Sequence, residues 1–444
     1  MRILRSAVAL TLLAIGATPS LAQVAPQTLA KLEARRQAKP ADVGTLRALG
    51  IAYFEAKRYA DAENVLTAAR TIAPKDAVVA LYLGMSAEER GDLVAARTAY
   101  TTYLSTGRTK SAQNAVSQRL AAVAQKELQQ GAKAAVAQEQ RLASQPGSLD
   151  MVAVLPLSVV GNPMYEPLGR GLADLMITDF AKVPGLKLLE RDRIQALLDE
   201  IALGKSNSID RATAARSGRM LQAGRMIRGS LTVASAQNVS LVTNVVPVAT
   251  TQDLLGGTAS GSLDQIFDFE KAVVIQTVAK MNITLTAAQR AAIDGYRPTR
   301  NVQAFLAYSR GLVASDAGRL DEAVNFFDNA RALDPNFAGA LQHANQARAG
   351  QAGQAVTTSV IESKLRGSAE GAVVSAAERG VTAPATDALG TTLQNTLADV
   401  NPSAADGIGR STTTVSSRDP ASSTTASDQA SPRMGTLTIL IKRP

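Results

Sequence analysis

From residue 43 onward, apolar and small residues return at helical spacing, and the pattern repeats along the chain. Val43, Leu49-Gly50, Tyr53, Ala62, Leu66, Ala69 and Pro74 stand at offsets that recur 34 residues later as Leu83-Gly84, Ala87, Ala96, Tyr100 and Tyr103. A period of this length, with two apolar stripes in each copy, predicts helix pairs that bury a continuous core only when they are stacked. The small Gly50 and Ala62 let the two helices of a pair approach. Tyr53 and Leu66 fill the seam between them, and Pro74 stops the second helix. Two such pairs are expected over 43–110. A third copy, with Gly311, Ala323, Phe327, Ala330 and Pro335 at matching offsets, is expected over 304–337, and the helix after it closes this block at 349.

This spacing resembles the tetratricopeptide (TPR) pattern, and the resemblance implies a concave face that takes a peptide. By the offsets of that pattern, Arg47, Ile51 and Phe54 of the first repeat and Leu81, Met85 and Glu88 of the second are the candidate protein-binding residues. They mix apolar and charged groups as a peptide groove would. The competing expectation is that this face is covered by the next segment. Residues 111–146 are rich in Ala, Gln and Lys at helical spacing and read as a helical cap and linker, ended by Gln145-Pro146-Gly147.

Between the two helical blocks the period changes. Met151 to Pro156 reads as a buried strand, 168–181 as an amphipathic helix and 186–189 as a second strand. Helices follow at 194–202 and 212–221, then strands at 226–234, 239–249 and 254–260, and a closing helix at 263–281. Strand and helix alternation followed by a meander predicts a mixed sheet with packed helices over 150–290. The expected fold class is therefore α+β multidomain, with helical hairpins flanking an α/β domain. Residues 351–433 are dominated by Ser, Thr, Ala, Gly and Asp and are expected to be disordered, while 435–441, Gly-Thr-Leu-Thr-Ile-Leu-Ile, reads as a terminal strand.

Composition adds three constraints. Arg2 and Arg5, an apolar run to Pro19 and the small Ser20 and Ala22 read as a secretory leader over 1–22, too short to span a bilayer, so an exported, periplasmic chain is expected. The 444 residues include no cysteine, which excludes disulfides, thiolate metal sites and a lipid-modified cysteine. A net charge of +9 is spread along the chain without basic runs interleaved with aromatics, so nucleic acid is not an expected partner, whereas peripheral attraction to an anionic membrane stays open.

Ala153-Val-Leu-Pro156, Gly169-Arg-Gly-Leu-Ala-Asp174, Glu190-Arg191-Asp192, Leu197, Glu200, Gly218, Leu221, Ala223 and Gly229-Ser-Leu-Thr232 occur in an order and spacing that resemble the curli production assembly and transport family of the CsgG/HfaB type. The resemblance covers 150–285. It implies a location at the periplasmic face of the outer membrane, an α/β domain that can form homo-oligomers, and in some members a secretion pore. The missing lipid-anchor cysteine and the lack of extra apolar hairpins depart from the pore-forming pattern. The expected function is a non-enzymatic envelope scaffold that binds other proteins or peptides; the alternative is a subunit of a curli-type secretion channel.

No catalytic, cofactor or metal residues are expected. Gly169-x-Gly171 lies a dozen residues past its strand and is followed by Asp174, unlike a phosphate loop, and reads as tight packing of a helix on the sheet. Asp174, Glu190, Asp192 and Glu200 alternate with Arg170, Arg191 and Arg193, which favours ion pairs over acid–base catalysis. His343, the only histidine, is expected on a solvent-facing helix position.

Overall fold

The computed structural model describes residues 26–145, 147–201, 209–250 and 253–382. The expected leader, the low-complexity stretch beyond 382 and the strand at 435–441 lie outside the described residues.

Helix α1 (Pro26–Ala38) precedes two antiparallel hairpins, α2 (Val43–Glu55) with α3 (Tyr59–Ile72) and α4 (Ala77–Glu89) with α5 (Leu93–Thr106). Short acidic residues start three of these helices. The Asp42, Asp76 and Asp92 carboxylates accept from the Thr45, Val79 and Ala95 amides at 2.9, 3.1 and 3.0 Å, satisfying donors that a helix start leaves open. The turn inside each hairpin needs a left-handed residue, supplied by Lys57 (φ 58°) in the first and Gly91 (φ 81°) in the second. A Cβ at Gly84 would come within 2.5 Å of the Tyr100 ring, and one at Gly50 would collide with Leu66, so both hairpins close on a glycine.

Helix α6 (Lys110–Ala137) serves two cores. Ala112, Ala115, Val116 and Val123 near its start join the hairpin core, whereas Ala135 and Val136 near its end pack on the α/β domain. The short α7 (Glu139–Ala143) leads into the sheet.

The sheet comprises β1 (Ser148–Val154), β2 (Ser158–Gly161), β3 (Lys187–Leu188), β4 (Ala223–Ser235), β5 (Asn238–Pro247) and β6 (Leu254–Gly261). Its order is β3-β1-β4-β5-β6, with β2 also on β4. The β3-β1-β4 and β2-β4 pairs are parallel and β4-β5-β6 antiparallel, which is the expected mixed sheet. Alternation sorts side chains between two faces. Val152 and Val154 share a core with α8 (Leu168–Phe180) and α11 (Ile266–Lys280), and Ala153 and Leu155 with α9 (Arg191–Glu200) and α10 (Arg211–Leu221). The β2 strand was not expected from the sequence; its four residues follow Pro156 with no room for a visible alternation.

After α12 (Ala287–Asp294), a third hairpin, α13 (Val302–Asp316) with α14 (Leu320–Leu333), lies against α8 and is followed by α15 (Ala338–Ala355). It repeats the first two: Gly318 turns at φ 73°, and a Cβ at Gly311 would sit 2.5 Å from the Phe327 ring. The Gly169-x-Gly171 pair packs as the sequence suggested. A Cβ at Gly169 would strike the Leu157 carbonyl, and one at Gly171 would strike Ser309 of α13 and lie 3.1 Å from Phe305.

Two expectations are corrected. The stretch from 351 does not begin as a disordered tail: α15 continues to Ala355, and α16 (Thr358–Leu365) and α17 (Ala369–Glu378) follow. Val356, Ile361, Leu365, Val373, Val374 and Ala377 are buried in the core of the first two hairpins, so their apolar surface is covered by residues far away in sequence. His343 does not face solvent either. It is half-buried, with the Tyr308 and Phe327 rings each 5.5 Å from its own, and burial lowers its pKa.

Candidate protein-binding groove

The inner helices α2 and α4 present Ile51, Phe54, Leu81 and Met85, all buried. The Phe54 ring meets Tyr82 edge-on at 5.3 Å and Tyr59 at 5.5 Å. The two charged candidates are engaged within the fold. Arg47, 1 % exposed, forms an ion pair with Asp76 and so ties α2 to the start of α4. Glu88 accepts from the Tyr100 hydroxyl at 2.8 Å and pairs with Arg119 of α6. All six candidates therefore line one interior, but that interior is not an open face. Helix α17 packs on α2 and α4, and α16 on α6. The expected cover from the 111–144 helix is part of the answer, and the chain's own 356–378 is the rest.

The residues that seat α16 and α17 had no visible signal in a local reading. Tyr82 donates to Glu362 of α16 at 2.6 Å, and Thr358 to Glu89 at 2.9 Å. Ser111 of α6 donates to the Lys364 carbonyl at 2.7 Å. Glu370, 2 % exposed, accepts from the Tyr103 hydroxyl at 3.1 Å and from the Arg108 and Thr109 amides at 2.9 and 3.3 Å. Burial raises the phenol pKa of Tyr82, Tyr100 and Tyr103, and the facing carboxylates Glu362, Glu88 and Glu370 raise each further. These hydroxyls therefore stay protonated as donors. At the rim the carboxyl of Glu55 is pushed up to about 8, first by burial and then by Glu362 and Glu378, with Arg366 opposing. Its Oε1 is buried without a hydrogen-bond partner.

A second charged cluster joins α13 to the α/β domain. Asp316 pairs with Arg191 and, at 2.9 Å, with the Arg170 Nε, and Tyr308 donates to Asp174 at 2.6 Å. Burial opposes the charge on Arg191, but Asp316, Asp192 and Asp174 outweigh it, so its pKa is raised. The carboxylates considered for acid–base work are thus spent on ion pairs or, like Glu190 and Glu200, exposed. Beneath the domain, Lys271 is enclosed by Asp179 and Glu270 between α8 and α11, and burial raises the Glu270 pKa. Among the described residues no group of His, Asp and Glu is arranged to hold a metal ion.

The matched region runs from within α6, across β1 to β4, into β5. Residues 117–240 match the family model of the curli production assembly/transport component CsgG. No curated protein matches the chain. The CsgG match begins more than thirty residues before the resemblance read from the sequence and ends at 240, short of the 285 read there; it takes in most of α6, whose Ala135 and Val136 pack with α9 and α10. Among the described residues no helix is long and apolar enough to cross a membrane.

Proposed function

We propose that this chain is a non-enzymatic scaffold of the bacterial cell envelope, exported to the periplasmic face of the outer membrane, where it serves a curli-type assembly or transport system. The observation that carries this reading is a CsgG-type segment held between hairpins at the 34-residue period, which we read as tetratricopeptide repeats that bind other proteins. The α/β domain is the part suited to self-association. The assignment of Asp174, Arg170 and Arg191 to the clasp with α13 supports a structural role for its charged residues.

The test is separation of periplasmic, membrane and cytoplasmic fractions after crosslinking in intact cells. The expected result is a processed chain in the envelope, crosslinked to other envelope proteins. A chain that stays in the cytoplasm overturns the reading. The match to a family of assembly and transport components favours a second reading, a subunit of an outer-membrane secretion channel. Release into the periplasmic fraction without detergent would sink that alternative.

A further inference from the structure

The face of α17 turned into the hairpins has an ordered pattern. Glu370, Val373, Val374 and Ala377 stand at i, i+3, i+4 and i+7, and all four are buried. These are the anchor positions by which an amphipathic helix lies in a groove. The charged anchor has its own receptor: one oxygen of Glu370 accepts from the Arg108 amide, and the other from the Thr109 amide and the Tyr103 hydroxyl. Those amides belong to the N-cap of α6 and the residue before it, and the dipole of this 28-residue helix favours an anion at this end. The apolar anchors share one core with Ile51, Leu81 and Met85. Gly367, at φ +83°, turns the chain from α16 into α17. Gly371 lets α17 begin against the Leu365 carbonyl.

We infer that the groove of the first two hairpins is a receptor for an amphipathic helix of the form Glu-x-x-Val-Val-x-x-Ala, with a carboxylate in its first turn, and that α17 is its intramolecular ligand. A partner carrying this pattern binds by replacing α17, so the free chain is autoinhibited. The inference rests on the reading that the hairpins bind proteins and names the class of helix they take. Tethering gives α17 a high effective concentration, so an outside helix binds the native chain weakly until the tethered copy is loosened.

The experiment uses the purified full chain and a fluorescent peptide of residues 356–382, read by anisotropy. Glu370→Gln in the chain weakens the tethered copy, so this variant should bind the unaltered peptide at least tenfold more tightly than the native chain does. The same substitution in the peptide should cost at least tenfold, because charge-assisted hydrogen bonds to two amides and a hydroxyl are lost. Hydrogen exchange must show α2 to α5 of the variant chain still protected; if they are not, Val373→Ser in the chain replaces Glu370→Gln. Equal binding by native and loosened chains, or a peptide indifferent to Glu370, overturns the inference. Either failure is independent of cellular location and partners, so it leaves the envelope reading standing.

Discussion

Replacing Glu55 with glutamine isolates a proton held at the seam between α2 and α16–α17. Glu55 faces Glu362 and Glu378, with Arg366 the nearby cation; Tyr82 donates to Glu362, and Tyr59 and Glu89 flank the same seam. Burial and the neighbouring carboxylates move the Glu55 carboxyl from an ordinary 4.5 to about 8. A raised carboxyl pKa means that the docked state binds a proton which the undocked state releases. Docking is therefore strongest below about pH 4.5 and weakens as pH rises through about 8. At about 1.4 kcal/mol per pH unit the displacement would be worth about 4 to 5 kcal/mol. Partial exposure of Glu55, with its solvent screening, reduces this to about 2 kcal/mol. That corresponds to a loss of about thirtyfold in protection. The assay is hydrogen exchange of 358–378 at pH 5.5 and 8.5, corrected for intrinsic rates and referenced to α4. Segment resolution is needed because the Glu270 pKa is also raised, so a global melt would combine two sites. In Glu55→Gln the amide mimics the protonated acid, and protection should change less than about threefold between the two pH values. A native chain equally protected at both, or a variant that follows the native chain, would refute the reasoning.

Three further outcomes test the packing. Lys57→Gly should stabilise the chain by about 0.5–1 kcal/mol in urea denaturation, because a left-handed residue (φ 58°) loses its Cβ penalty; an unchanged midpoint counts against it. Gly84→Ala gains about 1 kcal/mol in helix propensity but drives a Cβ to 2.5 Å from the buried, hydrogen-bonded Tyr100 ring, so a net loss of about 1–2 kcal/mol is expected, and a stabilised variant would mean that the hairpin seam is loose. Asp316→Ala removes the carboxylate shared by Arg170 and Arg191 and should cost about 2–3 kcal/mol, with exchange rising first in α13; a cost below about 1 kcal/mol would show that Asp174 and Asp192 suffice for Arg191.

The hairpins and the sheet were legible because their signals are local. Gly50 with Leu66, Gly84 with Tyr100 and Gly311 with Phe327 repeat one contact at one spacing, and a residue pair at fixed separation can be read without knowing the fold. Likewise Val152 to Leu155 alternate between two cores because a strand's period is two. The six groove residues come together in one interior; the sequence left open whether that face is exposed or covered by the helix that follows, and it did not name the second cover. That cover lies at 356–378, in a stretch whose composition resembles a linker, where Ile361, Leu365, Val373, Val374 and Ala377 are too few and scattered to mark a buried face by themselves.

Sequence alone determined the repeat period, the mixed sheet, the absence of cysteine and a resemblance to CsgG, though not the bounds of the matched segment, since each depends on neighbours within one element or one repeat. The tertiary structure decided what no local pattern encodes. It put α16 and α17 in the hairpin groove, Glu370 on the two amides just before α6, and Asp316 between two arginines of the sheet domain. A buried carboxylate or a glutamate seam has no signature in its own segment, because its burial, its partners and its proton affinity all come from residues that only the folded chain brings near.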